Sequence, residues 1–275
     1  MSDFLDQMAA GSRERLESAR RGCPEAALLQ SARALAPAPR LTANGSRFDL
    51  IAELKLRSPA AGQLKSPDED VEGRVTTYAR AGAAAVSVLT EPSRFDGSMS
   101  HLETATRALA PLNVPVMRKD FLIDPYQVIE ARVAGAGGVL VIIRMLPRAG
   151  IRAMLDCARS LGLFVLLEAF DEADIEVMHA VLGAADTQVL AGLNCRDLAT
   201  LQIVPQRLIE LAHLLPTHVP RVAESGVVTA QDAARVAGAG YEFALVGSAL
   251  MQGGDPHTLA AAMLQAGRDN ARRSK

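Results

Sequence analysis

The chain has 275 residues, of which 49% are hydrophobic and 22% are charged, which is ample for a sizeable core. This length fits one large α/β domain or two small ones. The formal net charge of −2 gives no bulk attraction to nucleic acid or anionic lipid, so neither is an expected partner.

Cysteine usage and the N-terminal sequence indicate the compartment. Cys23, Cys157 and Cys195 are odd in number and form no CxxC pair, which argues against a disulfide framework or a thiol zinc site. The opening residues MSDFLDQMAAGSRERLESARRG have a charged, helical pattern without the apolar stretch of a signal peptide. No apolar run reaches the ~18 residues that a membrane span needs. We therefore expect a cytoplasmic protein.

The chain begins with residues that stand outside any repeat. Residues 1–45 predict one or two helices followed by the proline-rich connector APAPR. Short apolar runs then recur, with helical patterns between most of them. The runs are DLIAEL, AAVSVLTE, PVMRKD, GVLVII, FVLLEA, VLAGLN, PRVAES and FALVGS. Their nearly continuous apolar character is typical of parallel strands that are covered on both faces.

Eight strand–helix units predict a (β/α)8 TIM barrel over residues 46–275, in a single domain of residues 1–275 with an N-terminal helical extension at 1–45. A six-strand doubly wound sheet is the alternative, but it would leave two units over. RAGAAAVSVL, VAGAGGVLVI and VAGAGYEFALV each place a glycine between a helix end and a strand, where it suits a left-handed helix cap. These glycines precede their strands, whereas a dinucleotide-binding fingerprint follows one.

Polar residues cluster where the predicted strands end, which is where barrel enzymes carry their chemistry. Glu53 and Lys55 share a face of the first strand, with Glu53 one layer below Lys55. A buried ion pair that only fills the barrel would explain one such pair, but several charged strand ends favour an active site. The other strand-end residues are Thr90-Glu91, Arg118-Lys119-Asp120, Glu168, Asn194, Arg196, Glu224-Ser225-Gly226 and Gly247-Ser248.

The last two units predict a phosphate site. We expect the stretches Ser225-Gly226-Val227 and Gly247-Ser248 to open the helices after strands seven and eight. Glycine lets backbone N–H groups approach an anion, and helix N-termini favour negative charge. Ser58, after the first strand, could add a donor. Tight turns are the alternative explanation of both glycines.

Histidine and cysteine chemistry is not favoured. The histidines fall on predicted helices or connecting loops, away from the strand ends; they are His101, His179, His213, His218 and His257. No pair of them has the spacing of a helical metal site. Cys195 follows Asn194 near the predicted site, but no histidine accompanies it as a base.

Several long motifs together resemble the indole-3-glycerol phosphate synthase family over residues 48–256. They are IAELKLRSPAAG, SVLTEPSRFDGS, PVMRKDFLIDPYQVIEAR, GLNCRDLATL, AESGV and VGSALM, and SRERLESAR is similar to the family's N-terminal helix. The resemblance implies ring closure, decarboxylation and dehydration of 1-(2-carboxyphenylamino)-1-deoxyribulose 5-phosphate to indole-3-glycerol phosphate, in tryptophan biosynthesis. It implies a small-molecule substrate and no metal or organic cofactor. The sequence does not encode the oligomeric state, and a monomer is our working expectation.

The resemblance also assigns roles to residues. Lys119 would be the general acid of ring closure, and Glu168 the base of dehydration. Lys55 would hold the substrate carboxylate, and Glu53 would position the lysines. Asn194, Arg196 and Glu224 would complete the polar wall, Ser58, Ser225, Gly226, Gly247 and Ser248 would surround the phosphate, and Phe95 and Phe121 would face the anthranilate ring. The two lysines should lower each other's pKa and the glutamates should raise it, which leaves the net direction open.

This sequence departs from the family pattern at a few positions. Ala60-Ala61 follows Ser58-Pro59 where the family often has Ser-Lys, so a loop lysine is missing. Phe170 stands in place of a common histidine near Glu168, and Leu201 in place of a common phenylalanine. None of these changes removes a residue with an implied catalytic role.

Three other functions compete with this one. A resemblance to the related barrel phosphoribosylanthranilate isomerase would place a cysteine at the end of strand one and an aspartate at strand six, and Glu53-x-Lys55 and Asn194 disagree with both. A Schiff-base lyase could use Lys119 or Lys55 as its nucleophile. A barrel that only binds its ligand would share the fold, but the complete set of charged residues speaks against it.

Overall fold

Eight parallel strands close into a barrel in this computed structural model, which describes residues 3–42, 48–66, 68–183, 188–252 and 254–273. Each strand pairs with its neighbours in chain order, and the last pairs with the first. The strands are β1 Asp49–Leu54, β2 Ala85–Leu89, β3 Val116–Lys119, β4 Gly138–Ile142, β5 Phe164–Ala169, β6 Val189–Asn194, β7 Arg221–Glu224 and β8 Phe243–Val246. The predicted TIM barrel and its eight strands are confirmed.

Helices surround the barrel and precede it. They are α1 Asp3–Gly22, α2 Glu25–Ala34, α3 Val71–Arg80, α4 Pro92–Phe95, α5 Met99–Leu109, α6 Pro125–Val133, α7 Arg148–Ser160, α8 Glu172–Val181, α9 Gln206–Glu210, α10 Ala230–Gly238, α11 Ser248–Gln252 and α12 Pro256–Arg273. A short hairpin pairs Arg57–Ser58 with Gly62–Gln63 after β1. No helix among the described residues is both long and apolar enough to cross a membrane.

The strands are apolar on both faces because each face packs against something. On β1, Leu50, Ala52 and Leu54 belong to the outer core between strands and helices. Ile51 belongs to a separate cluster inside the barrel, and Glu53 has the same parity as Ile51. This two-sided burial accounts for the unbroken apolar runs of the sequence.

Left-handed glycines end three of the helices, as the repeated lead-ins predict. Gly82, Gly135 and Gly240 have φ values of 96°, 88° and 94°, and β2, β4 and β8 each begin three residues later. A side chain is strained in this conformation, so glycine is favoured where a helix must turn sharply into a strand.

Helix α1 lies across the C-terminal end of the strands, which we call the mouth of the barrel. Leu5 and Met8 are buried in the same cluster as the residues inside the barrel. Phe4 packs edge-on against Phe121, with ring centroids 5.8 Å apart. Arg15 forms an ion pair with Asp120, at 2.8 Å between Nη2 and Oδ1. The N-terminal extension therefore forms part of the wall of the mouth.

Candidate active site

Two lysines and three glutamates converge inside the mouth. Lys55 Nζ lies 2.7 Å from Glu53 Oε1. Lys119 Nζ lies 3.2 Å from Glu224 Oε2, 3.7 Å from Glu168 Oε1 and 4.0 Å from Glu53 Oε2. The three carboxylates are almost completely buried. Residues from β1, β3, β5 and β7 thus meet at one point on the barrel axis, because the inward positions of alternate strands form layers.

Glycines inside the barrel leave room for these carboxylates. A Cβ atom on Gly192 of β6 would lie 2.3 Å from Glu224 Oε1, and one on Gly247 would lie 2.3 Å from Glu53 Oε1. Neither distance is compatible with a side chain, so glycine is needed beside Glu224 on β6 and beside Glu53 directly after β8. Gly192 was not among the residues singled out in the sequence, since an isolated glycine in an apolar run carries no signal of what lies opposite it.

The carboxylates decide the charge of Lys119. Burial lowers the pKa of its ammonium group, but attraction to Glu224, Glu168 and Glu53 outweighs burial and raises the pKa above its ordinary value. The sequence left the net direction of the Lys119 pKa shift open, and in the assembled barrel the pKa is raised. Lys119 is a protonated ammonium at neutral pH, which suits a proton donor and opposes a role as a neutral nucleophile.

The glutamates differ in protonation although they share one site. Burial raises the pKa of Glu53, but the positive charges of Lys55 and Lys119 lower it further than burial raises it. Burial and the neighbouring charge of Glu168 raise the pKa of Glu224 well above its ordinary value, against the pull of Lys119. The same site therefore favours the ionised form of Glu53 and the neutral form of Glu224.

Amide and guanidinium groups hold the wall at β6. Asn194 Nδ2 donates a hydrogen bond of 2.7 Å to Glu168 Oε1, which fixes one oxygen of that carboxylate. Asn194 Oδ1 accepts from the backbone N–H of Arg196. Arg196 Nη1 donates 2.6 Å to the carbonyl oxygen of Leu201, a non-glycine residue at φ 60°. Arg196 therefore supports the loop after β6 as well as facing the cavity.

The loop after β7 differs from the sequence prediction. The stretch Ser225-Gly226-Val227 does not open a helix, because Ser225 and Gly226 adopt left-handed conformations with φ of 65° and 69°, and α10 begins only at Ala230. Two successive left-handed residues turn the chain at the strand end and delay the helix to the cap at Thr229. Ser248 does open α11, as predicted.

Aromatic rings line the cavity near α1. Phe95 and Phe121 lie with ring centroids 6.0 Å apart, and both face the cavity. Phe170 also lines it, and the guanidinium group of Arg144 stacks on its outer side at 4.9 Å from the ring centroid. Asp174 accepts hydrogen bonds from Arg144 and from the backbone N–H of Phe170. These contacts fix the position of the Phe170 ring from the side that faces away from the cavity.

Every site residue predicted from the sequence lines this one cavity. These residues are Glu53, Lys55, Ser58, Phe95, Lys119, Phe121, Glu168, Asn194, Arg196, Glu224, Ser225, Gly226, Gly247 and Ser248. Sequence reasoning did not identify Phe4 and Leu5, which α1 contributes, or Leu198 and Ile203 from the loop after β6. Only the likeness of SRERLESAR to a family helix hinted at the first pair. Within the described ranges, no group of three or more His, Cys, Asp or Glu side chains could hold a metal ion.

Comparison with solved structures supports the fold. The chain is similar to 3-hexulose-6-phosphate synthase from Salmonella typhimurium, with a TM-score of 0.61 and 14% identity over 81% of this chain and 100% of that one. It is also similar to thiamine phosphate pyrophosphorylase from Pyrococcus furiosus, with a TM-score of 0.58 and 13% identity over 82% of this chain and 97% of that one. At this identity the likeness shows the fold alone.

Comparison of sequences is more specific. The family model described as indole-3-glycerol phosphate synthase matches residues 5–263. A protein of that name from Micrococcus luteus is 40% identical over 260 residues, which cover 92% of this chain and 93% of the relative. Another from Parafrankia sp. is 42% identical and covers 82% of this chain and 81% of the relative. The span of the family model includes nearly all of α1 and all eight strands, and this chain belongs to the indole-3-glycerol phosphate synthase family.

Proposed function

We propose that this chain converts 1-(2-carboxyphenylamino)-1-deoxyribulose 5-phosphate to indole-3-glycerol phosphate, carbon dioxide and water, as a carboxy-lyase of tryptophan biosynthesis. One observation supports this most strongly. The Lys119 ammonium lies within 4.0 Å of three buried carboxylates, at the bottom of a cavity that has aromatic rings on one side and glycine–serine loops on the other. A substrate with an aromatic acid at one end and a phosphate at the other fits a cavity that is aromatic on one side and glycine- and serine-rich on the other.

Ring closure is the first step. The aromatic carbon that carries the carboxylate attacks the ribulose carbonyl carbon, and Lys119 protonates the carbonyl oxygen as it becomes a hydroxyl group. The raised pKa keeps Lys119 charged over the whole physiological range, so a proton is always in place. Glu53, whose pKa is lowered, stays ionised and can stabilise positive charge that develops on the anilino nitrogen.

Loss of carbon dioxide restores the aromatic ring. Lys55 is held at 2.7 Å from Glu53 and faces the cavity, where it can hold the substrate carboxylate until the carbon–carbon bond breaks. The electron pair of that bond returns to the ring system, so no external electron acceptor is needed. Phe95 and Phe121 would flank the ring in this step.

Dehydration completes the indole. Glu168 removes a proton from the ring intermediate while the hydroxyl group formed in the first step leaves as water. Asn194 fixes one oxygen of Glu168 and leaves the other for this transfer. Lys119, which regains a proton from solvent after ring closure, lies 3.7 Å from Glu168 and can protonate the departing hydroxyl group. The proton that Glu168 removes then returns to Lys119, so both groups end the turnover as they began it.

The phosphate would bind where the last two strands end. Ser225 and Gly226 turn the backbone at the end of β7, and Gly247 and Ser248 lead from β8 into α11. Backbone N–H groups in such turns point toward an anion without any cationic side chain. Ser58 lies at the same cavity and adds a hydroxyl group.

A Schiff-base mechanism is the second enzymatic candidate, and the charge of Lys119 opposes it. A nucleophilic amine must be neutral, whereas three carboxylates hold Lys119 protonated. Treatment with borohydride in the presence of substrate should therefore trap no adduct on the protein.

The direct test is a fluorescence assay for indole-3-glycerol phosphate, run with purified protein and the carboxyphenylamino ribulose phosphate in the presence of EDTA. We expect turnover that EDTA does not reduce. An absence of indole fluorescence with folded protein and intact substrate would refute the proposed activity. We further propose that the protein is a cytoplasmic monomer, and size-exclusion chromatography at assay concentrations tests the oligomeric state.

A further inference from the structure

Two buried polar atoms near Lys119 have no hydrogen-bond partner among the described residues. They are Glu53 Oε2 and Ser87 Oγ. Glu53 is 2% exposed and Ser87 is 0% exposed, so bulk water does not reach either group. A third such atom, Glu224 Oε1, lies across the barrel on the carboxyl group of β7. Buried polar groups in proteins almost always have a partner, and these two atoms therefore require one.

The strand register places the two groups side by side. Glu53 of β1 is the register partner of Ser87 of β2. Ser87 follows the inward-facing Ala85 by two residues, so its side chain enters the barrel on the same side as Glu53. Its partner on the other side is Met117 of β3, two residues before Lys119. Ser87 therefore lies inside the barrel directly below the strand ends that carry Glu53 and Lys119.

The distance between the Lys119 ammonium and the free oxygen of Glu53 is suited to a contact through one water molecule. Lys119 Nζ and Glu53 Oε2 are 4.0 Å apart, which is too long for a direct hydrogen bond. Polar groups at this distance are commonly joined by one water molecule. The other oxygen of Glu53 is already engaged by Lys55 at 2.7 Å, so Oε2 is the one that faces the gap.

We propose that Ser87 Oγ, Glu53 Oε2 and Lys119 Nζ bind one structural water molecule beneath the substrate, and that Ser87 is a positioning residue for Glu53. The ammonium donates a hydrogen bond to the water oxygen. The water donates one hydrogen to the carboxylate and makes its third hydrogen bond with the serine hydroxyl. Buried waters typically make about three hydrogen bonds of this kind. The site itself stands on the geometry alone, and its kinetic consequence rests on the proposed function.

This water has a defined effect on the catalytic groups. A donor at Oε2 stabilises the ionised form of Glu53 and keeps its Oε1 directed at Lys55. It also separates Lys119 from Glu53 without neutralising either, so the ammonium stays free to turn toward the substrate. Without the serine hydroxyl, the water would lose one of its three partners and bind more weakly.

The first test is a crystal structure of the ligand-free protein at high resolution. We expect a water peak at roughly 2.6–3.2 Å from all three atoms in the wild type, and its loss or displacement in Ser87→Ala. A direct hydrogen bond between Ser87 and Glu53 with no water between them would overturn the proposal. This readout does not depend on turnover, so it remains decisive even if the protein proves to have another activity.

The second test is the pH dependence of kcat. Ser87→Ala should lower kcat roughly five- to tenfold, with KM within about twofold, because substrate contacts are unchanged. The acid limb of the profile should move to higher pH, since Glu53 loses a donor that favours its ionised form. Met117→Leu, on the same row of the barrel, changes packing without a polar atom and should leave the limb in place. A Ser87→Ala profile with an unmoved acid limb would refute the positioning role.

Discussion

Single glycines inside the barrel determine where the charged side chains can lie. Gly192 stands opposite Glu224, and its absent side chain leaves the space that the carboxylate occupies. Gly192→Ala would place a methyl group 2.3 Å from Glu224 Oε1 and 2.9 Å from Leu166 Cδ1, so the carboxylate must move. Because Glu224 contacts Lys119 at 3.2 Å, its displacement also moves the proposed acid.

We expect Gly192→Ala to lower kcat about 100-fold, which is the effect of displacing a catalytic group by about 1 Å. Gly22→Ala is the matched control, since no atom lies within 4 Å of a Cβ at Gly22. Steady-state kinetics of both variants, with circular dichroism to verify folding, measures the difference. A folded Gly192→Ala enzyme with wild-type kcat would show that the Glu224 carboxylate accommodates the added methyl group without a change in the catalytic geometry.

Glu224 should make stability depend on pH. Its folded-state pKa is raised, so the folded protein keeps a proton that the unfolded chain releases above the ordinary glutamate pKa. The free energy of unfolding contributed by this group is therefore full below that value and falls as pH rises toward the raised pKa. Glu224→Gln resembles the neutral acid but cannot ionise, so the fall in the free energy of unfolding with rising pH is removed.

We expect the variant Glu224→Gln to gain stability relative to wild type as pH rises above the ordinary glutamate pKa, as measured by urea denaturation at each pH. Glu176→Gln, at an exposed position on α8, serves as the control and should show no such trend. Parallel stability curves for Glu224→Gln and wild type would mean that Glu224 is ionised in the folded protein.

The sequence predicts which residues enter the site but not their protonation. Alternation along β1 is enough to place Glu53 and Lys55 on one face. The pKa of Lys119, in contrast, depends on distances of 3.2–4.0 Å to carboxylates on three other strands. No spacing along the chain encodes those distances, so the direction of the shift required the assembled barrel.

Among the secondary-structure elements, α1 connects the N-terminal extension to the catalytic strands. Asp120, which follows Lys119, accepts hydrogen bonds from Arg15 of α1, from the hydroxyl group of Thr90 and from Arg118. This carboxylate is buried, whereas Arg15 is partly exposed at 30% of its side chain. The ion pair thus ties α1 to the end of β3.

We expect Arg15→Met to lower the free energy of unfolding by about 1–2 kcal/mol, because Asp120 keeps its other partners and Arg15 is partly solvated. It should also raise KM, since α1 covers the mouth. Arg13→Met, at an exposed position on the same helix, is the control. Urea denaturation and substrate titration report the two effects, and identical behaviour of both variants would show that α1 is held by its apolar residues alone.

Elements with continuous apolar patterns were predictable, and those built from few residues were not. All eight strands coincide with the apolar runs of the sequence, because each buries both faces. The hairpin of Arg57–Ser58 and Gly62–Gln63 has only two residues in each strand, too few for a periodic signal. Ser225 was misjudged because a non-glycine residue at positive φ has no sequence signature.

For the whole molecule, barrel closure is what brings the distant motifs together. β1 pairs with β8, so Glu53 near the start of the barrel lies against Gly247 near its end. An open six-strand sheet would leave these two residues on opposite edges. The order of motifs along the chain was sufficient to identify the family, and the closed ring explains why that order produces one site.

Single-turnover ring closure by Lys119→Met tests whether Lys119 is the general acid, with Lys65→Met as the matched control outside the cavity. Substrate binding, followed by fluorescence titration, should persist in both variants. Lys119→Met should slow ring closure by about 10²–10⁴-fold, the contribution of a general acid, while Lys65→Met should retain the wild-type rate. Ring closure at the wild-type rate in Lys119→Met would contradict that role.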